Sequence, residues 1–276
     1  MDHYRVYGNP IKQSKSPYIH QSFAKNEGIV IEYQSELAEI GEFTEKVKQF
    51  IALNGKGANV TAPFKEDALR LCDNLTDRAR LAGAVNTLTF KEGQIFGDNT
   101  DGIGLVQDLL RNQVVLKNSR ILLLGAGGAA KGVILPLLEQ QPSAIVIANR
   151  TVSKAEDLCH QFSFDSHSSI LSASSFEETV NSEFDVIINA TSASLTGNIP
   201  PIPTSIINPK LVCYDMVYGK ELTPFLIWSK RHGAEQLIDG LGMLVGQAAE
   251  SFSVWNGVKP EVETIINDLR KSIKAE

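Results

Sequence analysis

The sequence predicts an α/β chain folded as two domains, on three observations. Strand-like and helix-like runs alternate from the first residues onward. An aliphatic run, Ile121 to Leu124, breaks directly into Gly125-Ala126-Gly127-Gly128-Ala129-Ala130, as a buried parallel strand does where it turns tightly into a helix. At 276 residues the chain is long for one core and suits two domains of roughly 100 to 150 residues each.

In the first domain a strand over Tyr4 to Tyr7 precedes a helix beginning near Pro17, and a strand over Val30 to Ser35 follows. A helix over Phe43 to Leu53 leads to a strand over Gly57 to Val60, then to a helix over Phe64 to Cys72 and a short segment over Thr76 to Leu81. The strands Val85 to Phe90 and Gln94 to Phe96 flank a Lys-Glu-Gly turn and read as a hairpin, so this sheet is mixed. Gly102-Ile103-Gly104 opens a helix to Arg111, and the domain boundary falls near Asp101.

The second domain begins at Arg120 with the glycine-terminated strand. Gly125 permits the sharp turn, and Gly127 lets backbone N–H groups approach a pyrophosphate. The small Ala130 lets the helix running to Leu138 pack on its strand. This is the pattern of a Rossmann-type dinucleotide cradle. The same glycines can serve S-adenosylmethionine, but a methyltransferase would want an acid after the next strand. That strand, Ala144 to Ala148, ends in Asn149-Arg150-Thr151, and a cation in the slot where NAD enzymes carry an acid favours the 2′-phosphate of NADP. Ser166 to Ser175 reads as a loop and a weak strand. Short strands at Asp185 to Ile188, Leu211 to Asp215 and Ala234 to Ile238 alternate with helices, including Phe225 to Arg231. Two last helices, Leu241 to Trp255 and Glu261 to Lys271, follow the sixth strand and are expected to return to the first domain. The domains are thus 1–101 with about 240–276, and 102–239.

A composition of 43% apolar and 21% charged residues with net charge −6 is that of an ordinary globular chain, without the basic excess of a nucleic-acid binder. The N-terminus lacks a hydrophobic segment and no stretch approaches ~20 apolar residues, which disfavours secretion and membrane spanning and makes the cytoplasm the expected location. Cys72, Cys159 and Cys213 lie far apart without C-x-x-C spacing or neighbouring His ligands, so reduced core residues and no metal site are expected. Monomer and homodimer fit equally.

Polar residues crowd the ends of the first domain's strands. Ser14 and Ser16 bracket a helix start, which suits a carboxylate and equally suits an N-cap. Asn59 and Thr61 alternate onto one side of the chain, and Lys65, in the first turn of a helix, opposes the helix dipole. Asn86 lies in an apolar stretch and needs a partner. Asp101 is either an N-cap or a cleft carboxylate.

These segments, with Ala82-Gly83-Ala84-Val85-Asn86-Thr87, Asn99-Thr100-Asp101-Gly102, Asn189-Ala190-Thr191-Ser192 and Asp239-Gly240-Leu241-Gly242-Met243-Leu244 through Gln247, resemble the shikimate dehydrogenase family from about Tyr4 to Trp255. The resemblance implies NADPH-dependent reduction of 3-dehydroshikimate to shikimate, in the biosynthesis of chorismate and the aromatic amino acids. It gives Ser14, Ser16 and Tyr218 the substrate carboxylate, and Asn59, Thr61, Asn86, Asp101 and Gln247 the ring hydroxyls. Lys65 would be the catalytic acid/base, with Asp101 beside it. Gly125, Ala126, Gly127, Gly128 and Ala129 would take the pyrophosphate. Asn149, Arg150, Thr151, Val152, Ser153 and Lys154 would take the 2′-phosphate side, and Asp77, Met216 and Gly240 would border the nicotinamide. Two positions depart from the family pattern: Ser194-Leu195 replaces a common Gly-Met, and Lys220 stands where a proline often follows the tyrosine. Both lie in loops on the cofactor side.

The chemistry is coherent on its own terms, because hydride arriving at a ketone carbon leaves negative charge on oxygen that a nearby lysine can protonate. Two other readings are a quinate/shikimate dehydrogenase with NAD tolerance and a non-catalytic NADP-sensing protein. Arg150 and the paired serines argue against the first, and the retention of both Lys65 and Asp101 argues against the second.

Overall fold

The computed structural model describes residues 1–163 and 169–275, so residues 166–168 of the serine-rich stretch lie outside the described residues. The chain divides into two compact units, Met1–Gly104 with Val245–Asn267, and Leu105–Leu244 with Asp268–Glu276.

The first unit runs β1 (Asp2–Gly8), α1 (Ser16–Asn26), β2 (Ile31–Leu37), α2 (Phe43–Ala52), β3 (Gly57–Val60), α3 (Lys65–Leu71), β4 (Asn74–Leu75), α4 (Asp77–Ala82), β5 (Thr87–Lys91), β6 (Gln94–Asp98) and the start of α5 (Asp101–Arg111). Its sheet has the order β2-β1-β3-β5-β6-β4. β1 pairs parallel with β2 and β3, whereas β5 is antiparallel to both β3 and β6, which gives the mixed sheet expected from the hairpin. β4 went unread because two residues carry no periodicity. Tyr7, Phe43, Val47, Phe64 and Leu88 are buried together as the core between this sheet and its helices.

The second unit contains β7 (Arg120–Leu124), α6 (Gly128–Leu138), β8 (Ala144–Ala148), α7 (Val152–Phe162), β9 (Leu171–Ser174), β10 (Val186–Asn189), β11 (Val212–Asp215), α8 (Pro224–Arg231) and β12 (Gln236–Asp239). All six strands are parallel, in the order β12-β11-β10-β7-β8-β9. Numbered from β7, that is the Rossmann order 3-2-1-4-5-6, with the reversal of strand order between β7 and β10. β10 and β11, inside the sheet, are buried at every position, which is why neither alternates between apolar and polar residues.

The remaining helices are α9 (Leu241–Asn256) and α10 (Glu263–Ala275). The sequence reading sent all of 240–276 to the first domain. Here residues 240–244 and the segment from Asp268 onward group with the second unit instead; within it the Arg270 guanidinium donates to the Asp239 carboxylate at 2.7 Å and to the Gly219 carbonyl at 3.3 Å. The three cysteines are free; Cys213 is in the core, but Cys72 and Cys159 are half-buried rather than core residues.

Candidate active site

Lys65 is the first residue of α3, and its Nζ donates to Asp101 Oδ2 at 2.5 Å. The side chains of Lys65 and Asp101 keep 32% and 22% of their surface, so the pair is open to a small molecule. A lysine at a helix start therefore has a local reason: it is matched to a carboxylate rather than to the dipole. Asp101 opens α5, and its other oxygen accepts from Asn86 Nδ2 at 2.8 Å, so both carboxylate oxygens meet side chains.

Asn86 is buried and fully engaged. Its Nδ2 also donates to Thr100 Oγ1 at 2.9 Å and to Gln247 Oε1 at 3.4 Å, and its Oδ1 accepts the Thr100 N–H at 2.9 Å and the Thr87 hydroxyl at 2.8 Å. This supplies the partners that an amide in an apolar stretch requires. Behind it, Asp98 takes both arms of Arg78, at 2.7 and 2.6 Å, along with the Thr76 hydroxyl and the Asn99 N–H. Burial raises the Asp98 carboxyl, but the Arg78 pairing outweighs it and holds the group below its ordinary value. Arg78 also reaches Glu250 at 3.0 Å, tying the segment that carries Asp101 to α9.

Asn59 belongs to the same buried network. Its Oδ1 accepts from the Tyr33 hydroxyl at 2.7 Å, and its Nδ2 donates to the Asn86 carbonyl, Thr87 and Ser251 at 3.1 to 3.3 Å. Ser16 is the first helical residue of α1, with Lys15 at the N-cap position without a side-chain cap bond. Ser14 Oγ accepts the Ser16 N–H at 3.3 Å, so it is Ser14 that satisfies part of the helix start. Thr61 is half-buried, and its N–H donates to the Tyr7 carbonyl at 2.9 Å.

In the second unit, Gly125 has φ +104°, a conformation that requires glycine, and an added Cβ there would lie 3.0 Å from Thr191 Cγ2. Gly127 is the N-cap of α6 with no side-chain cap bond, and a Cβ on Gly127 or Gly128 would meet nothing within 4 Å. The first-turn N–H groups of α6, including Ala129, thus face open space suited to a phosphate. A cleft of about 710 Å³ adjoins them, lined by Ala126, Gly127, Asn149, Arg150, Thr151 and Lys154 on one side and by the 191–201 segment on the other. Arg150 and Lys154 are exposed and form no ion pair among the described residues. Thr151 precedes α7, whose first turn holds Val152 and Ser153, and Asn149 Nδ2 donates back to the Thr151 carbonyl at 2.8 Å. These residues fit a phosphorylated dinucleotide.

The Met216 loop packs on Gly240: the Gly240 N–H donates to the Val217 carbonyl at 3.2 Å, and a Cβ on Gly240 would sit 2.0 Å from the Met216 oxygen. Two sequence-predicted residues fall in the other unit from their expected companions. Asp77 opens α4 in the first unit, exposed and paired with Arg80 at 2.7 Å, and Tyr218 lies in the loop after β11 in the second. The structure therefore gathers Lys65, Asp101, Asn86, Gln247 and Asn59 in one cluster and the glycine turn with Asn149 to Lys154 in another. Sequence reasoning missed Tyr33, Thr87, Thr100, Ser251 and the Arg78–Asp98–Glu250 group. The one available signal was a serine among the apolar residues of α9, Ala248, Ala249 and Phe252.

An all-parallel 3-2-1-4-5-6 sheet with a glycine-lined cleft, joined in one chain to a mixed-sheet unit carrying a Lys–Asp pair, defines the class of Rossmann-type, dinucleotide-dependent oxidoreductases. Comparison with known proteins then fixes the family. A family model for the shikimate dehydrogenase substrate binding domain matches residues 6–88, one for shikimate / quinate 5-dehydrogenase matches 108–196, and one for the shikimate 5′-dehydrogenase C-terminal domain matches 240–270. A shikimate dehydrogenase (NADP(+)) of Colwellia psychrerythraea is 64% identical over 99% of this chain and 98% of its own. Among solved structures, an Ael1 enzyme from Pseudomonas putida superposes with TM-score 0.93 at 44% identity, covering 98% of each chain. Shikimate 5-dehydrogenase from Thermus thermophilus, in complex with NADP(H) and shikimate, superposes with TM-score 0.86 at 29% identity over 99% of this chain and 100% of that one. This chain belongs to the shikimate dehydrogenase family.

Proposed function

We propose that this chain interconverts shikimate and 3-dehydroshikimate with NADP, the first unit binding the substrate and the second the nucleotide. The observation that carries the reading is the accessible Lys65–Asp101 pair, backed by the Asn86 and Gln247 amides. NADPH, which the glycine turn and Asn149 to Lys154 would hold, would supply the hydride for the ketone carbon. Lys65 Nζ then delivers a proton to the carbonyl oxygen as negative charge develops there, and in the reverse direction it takes the hydroxyl proton back. Asp101 holds the Lys65 side chain in place for that exchange. Asn86 orients Asp101 from the opposite oxygen, and Ser14 and Ser16 anchor the carboxylate away from the reacting carbon. Arg150 and Lys154, which line the cleft and form no ion pair among the described residues, favour NADP over NAD.

Absorbance at the reduced-nicotinamide band, with shikimate and NADP set against quinate and NAD, tests the substrate and the cofactor together. Turnover confined to the second pair would overturn the reading. Lys65→Met removes the proton and the charge while keeping chain length, so single-turnover hydride transfer is expected to slow by about 10² to 10⁴. A step within a few-fold of wild type would remove Lys65 from the chemistry.

A further inference from the structure

Asp215, the last residue of β11, is fully buried. No cation pairs with it among the described residues, and four neutral donors satisfy it instead. The Ser194 and Thr223 hydroxyls donate to Oδ2 at 2.6 and 2.5 Å, and the Val217 N–H and Asn189 Nδ2 donate to Oδ1 at 3.1 and 3.3 Å. Burial pushes its carboxyl above the ordinary value. Such a group is expensive to keep unless the geometry it imposes is used.

Each donor leads to a different wall of the nucleotide side of the second unit. Ser194 sits in the turn Ala193–Thr196, which lines the cleft. Asn189 accepts the N–H and hydroxyl of Thr191 at 3.1 and 2.7 Å, and Thr191 abuts Gly125 of the phosphate turn. Val217 belongs to the loop that packs on Gly240, and Thr223 caps α8 at the far end of that loop. Arg150 follows β8, whereas Asp215 ends β11, three strands away across the β7–β10 reversal. At about 4.8 Å per strand the ends of β8 and β11 are separated by about 14 Å. That distance divides the adenosine half of a dinucleotide from its nicotinamide half.

We infer that Asp215 is a positioning residue for the nicotinamide half of the cofactor, fixing the Ala193–Thr196 turn and the Met216 loop together, and that Ser194, a departure from the family's usual glycine, is the strap on the cleft side. The inference rests on the NADP reading of the cleft. Asp215 touches neither substrate nor reacting atoms; it acts through the loops it holds.

The test measures binding of two ligands by calorimetry: NADP, which spans both halves, and adenosine 2′,5′-bisphosphate, which occupies only the Arg150 end. Asp215→Asn replaces an acceptor oxygen with an amide donor, so NADP affinity is expected to fall at least 10-fold while the bisphosphate is held as by wild type. Ser194→Ala removes one donor of four and keeps the experiment informative if the first variant does not fold. It is expected to weaken NADP about 3- to 10-fold, with Ser194→Thr restoring the affinity. Equal weakening of both ligands, or no change in either, would overturn the inference. Failure of the wild-type chain to bind either ligand would instead overturn the NADP reading beneath it.

Discussion

Substituting His20 by phenylalanine is expected to flatten the acid side of the stability profile. The His20 ring is wholly buried, stacked 4.4 Å from the Tyr33 ring at an interplanar angle of 7° and bounded by Trp255, Phe23 and Phe252. Neither ring nitrogen has a hydrogen-bond partner among the described residues. Burial lowers its pKa from 6.5 to about 3. The unfolded chain therefore binds a proton near pH 6.5 that the folded chain refuses until about pH 3. Between those values the unfolded state holds one more proton, so stability is full above pH 6.5 and declines as the pH falls. At pH 4.5, two units below the unfolded value, the loss is about 3 kcal/mol, a large part of the ~5–15 kcal/mol of a typical domain. Urea unfolding followed by tryptophan fluorescence at pH 7 and pH 4.5 measures it. Wild type is expected to lose about 3 kcal/mol more than His20→Phe over that interval, since the carboxylates titrate alike in both. Equal losses would mean that the folded state accepts the proton, and the account of a sealed, neutral ring would be wrong.

Arg150→Ala is expected to lower kcat/KM for NADPH by about 10- to 100-fold through loss of a charge-assisted contact and to leave NADH use nearly unchanged; equal losses with both would make Arg150 structural. Ser16→Ala is expected to raise KM for shikimate more than it lowers kcat, because a group remote from the reacting carbon is bound alike in ground and transition states. A lowered melting temperature with KM unchanged would assign Ser16 to the helix start alone.

The second unit was legible almost strand by strand, because buried parallel strands announce themselves as aliphatic runs and Gly125 marks the turn that follows one. The ends of the cluster in the first unit were legible too: Lys65 contradicts a helix dipole and Asn86 contradicts its apolar surroundings, and each anomaly turned out to be half of a polar contact. What joins them was not. Tyr33, Thr87 and Ser251 are ordinary residues in ordinary elements, and only the register of β3 against β5, with α9 laid beside them, brings their hydroxyls to Asn59. His20 gave no signal at all, since a histidine on a helix reads as surface until its neighbours are known. The placing of the end of α10 with the second unit went unread as well: its ion pair, Arg270 with Asp239, joins residues 31 apart and follows no periodicity.

The interleaving of the two units has a consequence for how the chain is made. Residues 245–267 complete the first unit, yet they leave the ribosome only after all of 105–244 has been translated, a delay on the order of 10 s at ~5–20 residues per second. During that interval the nascent first unit lacks Gln247 and Ser251 from its polar network and lacks Trp255, whose indole stacks on Tyr4 at 4.6 Å and donates to the Leu88 carbonyl. The second unit waits longer still, for Arg270. Vectorial folding, one domain finished before the next begins, is closed to this topology, and the Lys65–Asp101 pair reaches its final surroundings only once residues 245–267 have been made.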